Sequence, residues 1–247
     1  MRVNPILIFL SLFPFLITAQ TASYSIYGIK GGSTLGFQQW NNFDQDALFA
    51  WNAGVFAESL ADRDAQSSLY AGLSFSQKGS AKRNVQLFSS NGSGSLIGGT
   101  FTRKYIFNNL VLNVGAKKRL EQRSNGFTPY YSIGAFGSYT ISTNLNEQSN
   151  SFFLLDPVDD FVRKINYGVQ IGGGFEKQLS EYLGIHFDFS MFPELSFQYQ
   201  EQYGPNPNQV INPFTGNLFT PRDRNIRNLA FEITVGIRFL REVIYVD

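Results

Sequence analysis

Residues 229–239 alternate without a break. Leu229, Phe231, Ile233, Val235, Ile237 and Phe239 fall on one face, and Ala230, Glu232, Thr234, Gly236 and Arg238 on the other. A period of two specifies a strand, because a helix would bring apolar side chains together every three to four residues. The run is as long as the ~9–11 residues of a membrane-crossing strand and longer than the ~5–6 of an average globular one.

Seven earlier segments repeat the pattern, over residues 25–33, 50–60, 69–78, 106–120, 127–141, 166–178 and 182–192. Each sets aliphatic and aromatic side chains against a face of glycine, serine and scattered charge. In the segment 106–120, Leu110, Leu112, Val114 and Ala116 oppose Val111, Asn113, Gly115 and Lys117. A soluble barrel would turn its apolar face inward and cover its exterior with Lys and Glu. The polar faces here carry too little charge for that. Isolated Lys30, Glu58, Lys78, Glu176, His186, Asp188, Glu232 and Arg238 suit an enclosed lumen in which opposite charges pair.

The connections alternate in length. Residues 34–49, 79–100, 144–163 and 193–227 are long and polar, with many Asn, Ser and Gly, while 61–64, 121–126 and 179–181 are short turns. This is the layout of an even-stranded membrane barrel with both ends of the chain on the periplasmic side. The expected fold is all-β: an antiparallel transmembrane β-barrel of about eight strands, up-and-down, with short periplasmic turns and long extracellular loops.

Composition adds little to this. Charged residues are 16% and aromatics 16%, a mixture that suits aromatic girdles better than a soluble surface. The net charge of +1 gives no reason to expect a nucleic-acid partner. Cysteine is absent, which excludes disulfides and thiolate metal sites. At the start, Arg2, the apolar residues 6–17 and the small pair Thr18-Ala19 read as an export signal. Residues 1–19 are therefore expected to be a leader and 20–247 the barrel domain.

Several short motifs follow one another in a recognisable order. They are Tyr27-Gly28-Ile29-Lys30-Gly31-Gly32, Gly72-Leu73-Ser74-Phe75-Ser76-Gln77-Lys78-Gly79, Pro129-Tyr130-Tyr131-Ser132-Ile133-Gly134-Ala135, Tyr167 to Gly174, and Gly236-Ile237-Arg238-Phe239. Together they resemble the PorT-like outer-membrane β-barrel family of Bacteroidetes over almost all of residues 20–247. The resemblance implies an eight-stranded outer-membrane barrel with no catalytic residues to carry over. It also implies a link to protein secretion of the type IX kind through the family's namesake.

Three functions are open at this point. The first is a non-enzymatic structural or partner-binding protein acting through its outer loops, with a secretion accessory as one form of it. The loops mix Trp40, Phe43, Phe214 and Phe219 with Asn and Gln, a composition that suits a protein or glycan partner. The other expected partners are outer-membrane lipid and, during biogenesis, the barrel-assembly machinery, for which Phe239 resembles an aromatic end signal. The second is a lipid-modifying hydrolase using His186, Asp188 and Ser190, which share one face of a strand. A relay needs contacts of about 2.6–3.2 Å, and neighbouring same-face positions lie roughly 7 Å apart. The third is a narrow porin-like channel, opposed by inward Phe56, Tyr70 and Phe136 in a bore that about eight strands leave only wide enough for side chains. No cofactor is expected. A single histidine without cysteine makes a poor metal site, and Asp44, Asp46, Asp159 and Asp160 lack a calcium-loop spacing. Gly172-Gly173-Gly174 lies mid-strand with no helix after it, so it is a packing feature and not a phosphate loop.

Overall fold

The computed structural model describes residues 23–38, 40, 45–62, 65–90, 96–121, 126–148, 157–204, 209–211 and 218–243. The expected leader therefore lies outside the described residues, as do Phe43, Asp44 and Phe214.

Eight strands close a barrel: β1 (Ser23–Gln38), β2 (Asp46–Leu60), β3 (Ser67–Ser90), β4 (Leu96–Arg119), β5 (Phe127–Thr143), β6 (Ile165–Gln178), β7 (Leu183–Pro193) and β12 (Asn228–Val243). Each pairs antiparallel with its neighbour in sequence, and β12 returns to β1 through Tyr27↔Phe239 and Ile29↔Ile237. Between β7 and β12 lie four short strands, β8 (Tyr199–Glu201), β9 (Val210–Ile211), β10 (Leu218–Phe219) and β11 (Arg224–Ile226). They form two small ladders, β8–β11 and β9–β10. A one-turn helix, α1 (Leu145–Gln148), and a 3-10 turn, Asp159–Phe161, sit in the connection from β5 to β6. No helix among the described residues is long and apolar enough to cross a membrane.

The alternation decides which way each strand faces. The side chains at the odd positions of β12, Val235 (60% exposed) among them, point outward, while Glu232, Thr234 and Arg238 are buried inside. The same division holds round the wall: Ile29, Val55, Leu73, Leu112, Ile133, Ile171 and Phe187 are exposed. An unbroken apolar exterior over a polar interior inverts the soluble arrangement. It fits a wall solvated by hydrocarbon. From Leu229 to Phe239 the outward band rises about 25 Å once a strand tilt of roughly 40° is allowed for, which is the height of a membrane barrel's apolar girdle. At its outer edge Gln77 donates to Asn108 (3.0 Å) and Asn108 to Ser142 (2.9 Å), a polar rung across three outward-facing positions.

The strands overrun the expected boundaries at the end opposite the short turns. Residues 34–38 and 46–49 continue β1 and β2. Most of 79–100 is not loop at all: β3 and β4 pair up to Ser90↔Leu96. Polar, glycine-containing sequence hid a long hairpin, because backbone hydrogen bonding between two neighbouring strands does not depend on apolar alternation. At the other end β12 continues past Phe239 to Val243, opposite Ser23.

Candidate functional site

The lumen is the polar centre of the molecule, and it is filled in layers. The layer nearest the short turns is ionic. Lys117 donates to Glu58 and Glu176, both at 2.8 Å. Arg119 donates to Glu58 (2.5 Å), Ser68 (3.1 Å) and Glu176, and Arg238 also pairs with Glu176. Three cations thus share two carboxylates, every member almost fully buried. The ammonium of Lys117 also sits 4.0 Å from the centre of the Tyr130 ring.

Above it lies a cavity of about 40 Å³, lined by Lys30, Tyr70, Asn113, Gln170 and His186 among others. It holds a few waters at most. Asp188 accepts from Tyr130 (3.2 Å) and Ser190 (3.0 Å) and lies 3.6 Å from Lys30. Gln170 accepts from Tyr70 (3.1 Å) and Asn113 (2.6 Å) and donates to Ser190 (3.3 Å). The next layer is mixed. Val111, Phe136, Phe192 and Ala230 make an apolar knot, with the Lys78 ammonium 4.5 Å from the Phe136 ring and 3.1 Å from Glu194. Beside it Ser76 donates to Glu232 at 2.7 Å.

The outer mouth is closed by amides and then by a small core. Gln38 donates to Asn228 (2.5 Å), Asn228 to Gln198 (2.9 Å), Gln198 to Thr140 (2.7 Å) and Thr140 to Asn109 (2.9 Å). Over them pack Trp40, Tyr105, Phe107, Leu145, Tyr199 and Ile226. These come from three connections and from the outer part of β4, so the outer segments form a folded cap. Trp40 donates to Ser80 (3.1 Å) and packs 5.2 Å from the Tyr199 ring. Tyr199 in turn donates to Glu201 (3.0 Å), which lies 3.1 Å from Arg224. Burial first, and then the Glu201 charge, push the Tyr199 phenol well above its usual range. Burial and a hydrogen bond to Glu201 raise the neighbouring Tyr203 to about 12.

Glycine makes room for this filling. A Cβ on Gly236 would stand 2.3 Å from the His186 ring and 2.4 Å from the Ile29 carbonyl. One on Gly174 would stand 1.9 Å from the Phe187 carbonyl and 2.9 Å from the Tyr130 hydroxyl. Large lumenal side chains therefore lie flat over bare backbone on the next strand. Gly172, Gly173 and Gly174 fall in β6, with β5 and β7 close on either side.

All eight charged or titratable residues singled out from the sequence point into this lumen. Among the described residues, Lys30, Lys78, Lys117, Arg119 and Arg238 face Glu58, Glu176, Asp188, Glu194 and Glu232 there. The sequence reading had not singled out Lys117, Arg119 or Glu194. Arg119 shares the inward parity of Asn113 and Lys117, so carrying the alternation two residues further finds it. Glu194 follows the last barrel residue of β7, where no periodicity remains to mark it.

His186, Asp188 and Ser190 share the inward face of β7 but form no relay. Ser190 donates to Asp188, not to His186. The His186 ring stands edge-on to Phe56 at 4.9 Å, and its Nδ1 has no hydrogen-bond partner among the described residues. The three are buried in the lumen, away from the lipid-facing wall. The loop carboxylates are engaged locally: Asp46 accepts from the Arg83 amide (3.0 Å), and Asp159 from the Thr143 hydroxyl. No group of three or more metal-ligating side chains occurs among the described residues.

No curated protein matches the chain in sequence. Solved structures similar to it include Neisserial surface protein A, 10% identical over 89% of this chain and 99% of that one, with a TM-score of 0.46. The N-terminal β-barrel domain of OprF from Pseudomonas aeruginosa is 8% identical over 90% and 100%, with a TM-score of 0.41. Ail of Yersinia pestis is 11% identical over 89% and 100%, with a TM-score of 0.40. The family model described as outer membrane protein beta-barrel domain matches residues 18–197. With that match spanning most of the chain and an apolar wall closed around a polar lumen, the protein belongs to the outer membrane protein β-barrel domain family and resides in the outer membrane, short turns towards the periplasm and long connections outside.

Proposed function

We propose that the protein is a non-enzymatic, non-conducting barrel that works at its outer end, by presenting the folded cap and the long β3–β4 hairpin to a protein or glycan partner. One observation carries this reading: the lumen is filled from the five-charge layer to the aromatic cap, and its central cavity of about 40 Å³ is too small for a hydrated solute path. The bore being occupied, the surface left for a specific task is the outer one. There Phe161, Leu195 and Leu218 are exposed beside polar neighbours, the mixture usual at a binding rim.

The hydrolase reading loses support from the His186 geometry, since the serine is bonded to the carboxylate and the imidazole stands apart, so the serine–imidazole contact of a triad is not made. A secretion accessory, as the PorT-like resemblance implies, is the narrower form of the partner-binding reading. An export signal at residues 1–19 is part of the same proposal.

Two measurements test it. The purified protein in a planar bilayer is expected to show no steady conductance, and a stable open level refutes the filled-lumen argument. In intact outer membranes, crosslinking from the cap and hairpin is expected to trap a discrete partner that is lost when the hairpin is shortened to Lys82–Arg103, which keeps Ser80 and Tyr105 in the cap. Trapping that survives the deletion places the contact elsewhere.

A further inference from the structure

The outer wall is not evenly filled. On the lipid-facing side of β1, β2 and β3, towards the periplasmic end, it carries a groove of about 450 Å³. The register shows how it arises. One row across the strands reads Phe239, Tyr27, Ala57, Ala71, Val114, and the row above it Ile237, Ile29, Val55, Leu73, Leu112. Two alanines side by side leave a trough between Tyr27 on one flank and Val114 on the other, roofed by Val55 and Leu73. Its lining is almost wholly apolar.

The row directly below the trough is polar on its β12–β1–β2 side and apolar beyond. It reads Arg241, Ser25, Ser59, three outward positions on adjacent strands paired Ser25↔Arg241 and Ser25↔Ser59, and then Leu69 and Ala116 on β3 and β4. Adjacent strands stand about 4.8 Å apart, so a guanidinium and two hydroxyls span roughly 10 Å of surface. None of the three side chains has a hydrogen-bond or ion-pair partner among the described residues. Arg241 lies two residues below Phe239, where the apolar band ends, and so at the depth of the periplasmic-leaflet headgroups.

We infer that this face holds one glycerophospholipid of the periplasmic leaflet. Its phosphodiester lies against Arg241, Ser25 and Ser59, and an acyl chain lies in the trough over Ala57 and Ala71. The charge is complementary: a planar guanidinium donates two parallel hydrogen bonds to phosphate oxygens, and serine hydroxyls add single donors. The trough supplies what an unspecific wall does not, an apolar slot in register with the headgroup site. The extra contact comes from dispersion and chain ordering, because hydrocarbon leaves one hydrocarbon environment for another.

The test is lipid retention. The full chain is reconstituted in vesicles of phosphatidylethanolamine and phosphatidylglycerol, extracted into mild detergent, and its bound lipid is counted by native mass spectrometry. Folded barrel is scored separately by its heat-modifiable gel mobility. Wild type is expected to keep one phospholipid per barrel. Arg241→Gln removes the phosphate fork and Ala71→Leu fills the trough. Both side chains face lipid, so the barrel closes as before, and each variant is expected to lower retention at least tenfold among folded molecules. Lys177→Gln, on the far wall, is expected to leave it unchanged. Retention in either trough-site variant equal to wild type overturns the proposal, as does a wild type that retains no lipid or a Lys177→Gln loss as large as that of Arg241→Gln.

Discussion

Glu176 is the carboxylate on which the lumen's ionic layer depends most, and Glu176→Gln measures how much. Three cations meet it: Lys117 at 2.8 Å, Arg119 and Arg238. An amide of the same shape keeps one acceptor oxygen but no charge, so Arg238 loses its carboxylate and Lys117 and Arg119 are left to share Glu58. Breaking a buried ion pair from one side costs about 3–5 kcal/mol. The lower end applies, because Glu176 also lines a vestibule of about 370 Å³ at the periplasmic mouth, from which water reaches the stranded cations. The expected loss is therefore about 3 kcal/mol. Glu232→Gln is the matched control. Glu232 is as deeply buried, yet its one close partner is the Ser76 hydroxyl at 2.7 Å, and no cation lies within ion-pair distance among the described residues. An amide satisfies that hydroxyl as well as a carboxylate does, so the expected change is within about 1 kcal/mol. Reversible urea unfolding in lipid vesicles, followed by tryptophan fluorescence and heat-modifiable mobility, reads both. With a slope of about 2 kcal/mol per molar urea, Glu176→Gln moves the midpoint by roughly 1.5 M. Equal midpoint shifts for the two variants would refute the argument that local pairing, and not burial alone, sets the cost of these carboxylates.

Gly236→Ala places a methyl carbon 2.3 Å from the His186 ring and 2.4 Å from the Ile29 carbonyl and is expected to cost about 1–3 kcal/mol by overpacking; adding His186→Ala should recover only part of it in the same urea assay, because the Ile29 backbone stays in place. Trp40→Ala removes the ring packed against Tyr105 and Tyr199. It is expected to open the cap while leaving the barrel closed, seen as protease cleavage of the outer connections with heat-modifiable mobility retained. The double variant His186→Ala, Ser190→Ala is expected to leave the lipid profile of the outer membrane unchanged, and altered acylation by mass spectrometry would restore the hydrolase reading. N-terminal sequencing of membrane-extracted protein is expected to begin at Gln20, and a start at Met1 removes the leader.

The sequence by itself determined the barrel, because the one signal that a membrane strand cannot do without is also the one alternation displays. Lipid on one side and a narrow lumen on the other leave each residue of β12, from Leu229 to Phe239, a single choice of polarity. The strand count, the facing of each side chain and the inward direction of Lys30, Glu58, Asp188 and Arg238 follow from that parity alone. In residues 79–100 no run of alternating apolar side chains marks the strands, so parity carries no information there and the hairpin read as loop. Pairing is likewise invisible in parity. That Glu176 gathers Lys117, Arg119 and Arg238, that Ser190 bonds Asp188 and leaves His186 apart, and that Glu232 accepts from the Ser76 hydroxyl all depend on the register between strands. So does the assembly of Trp40, Tyr105, Leu145, Tyr199 and Ile226 into a cap, since these residues are distant in sequence and meet only after closure. The row Arg241, Ser25, Ser59 joins both ends of the chain, and only the β1–β12 closure brings it into being.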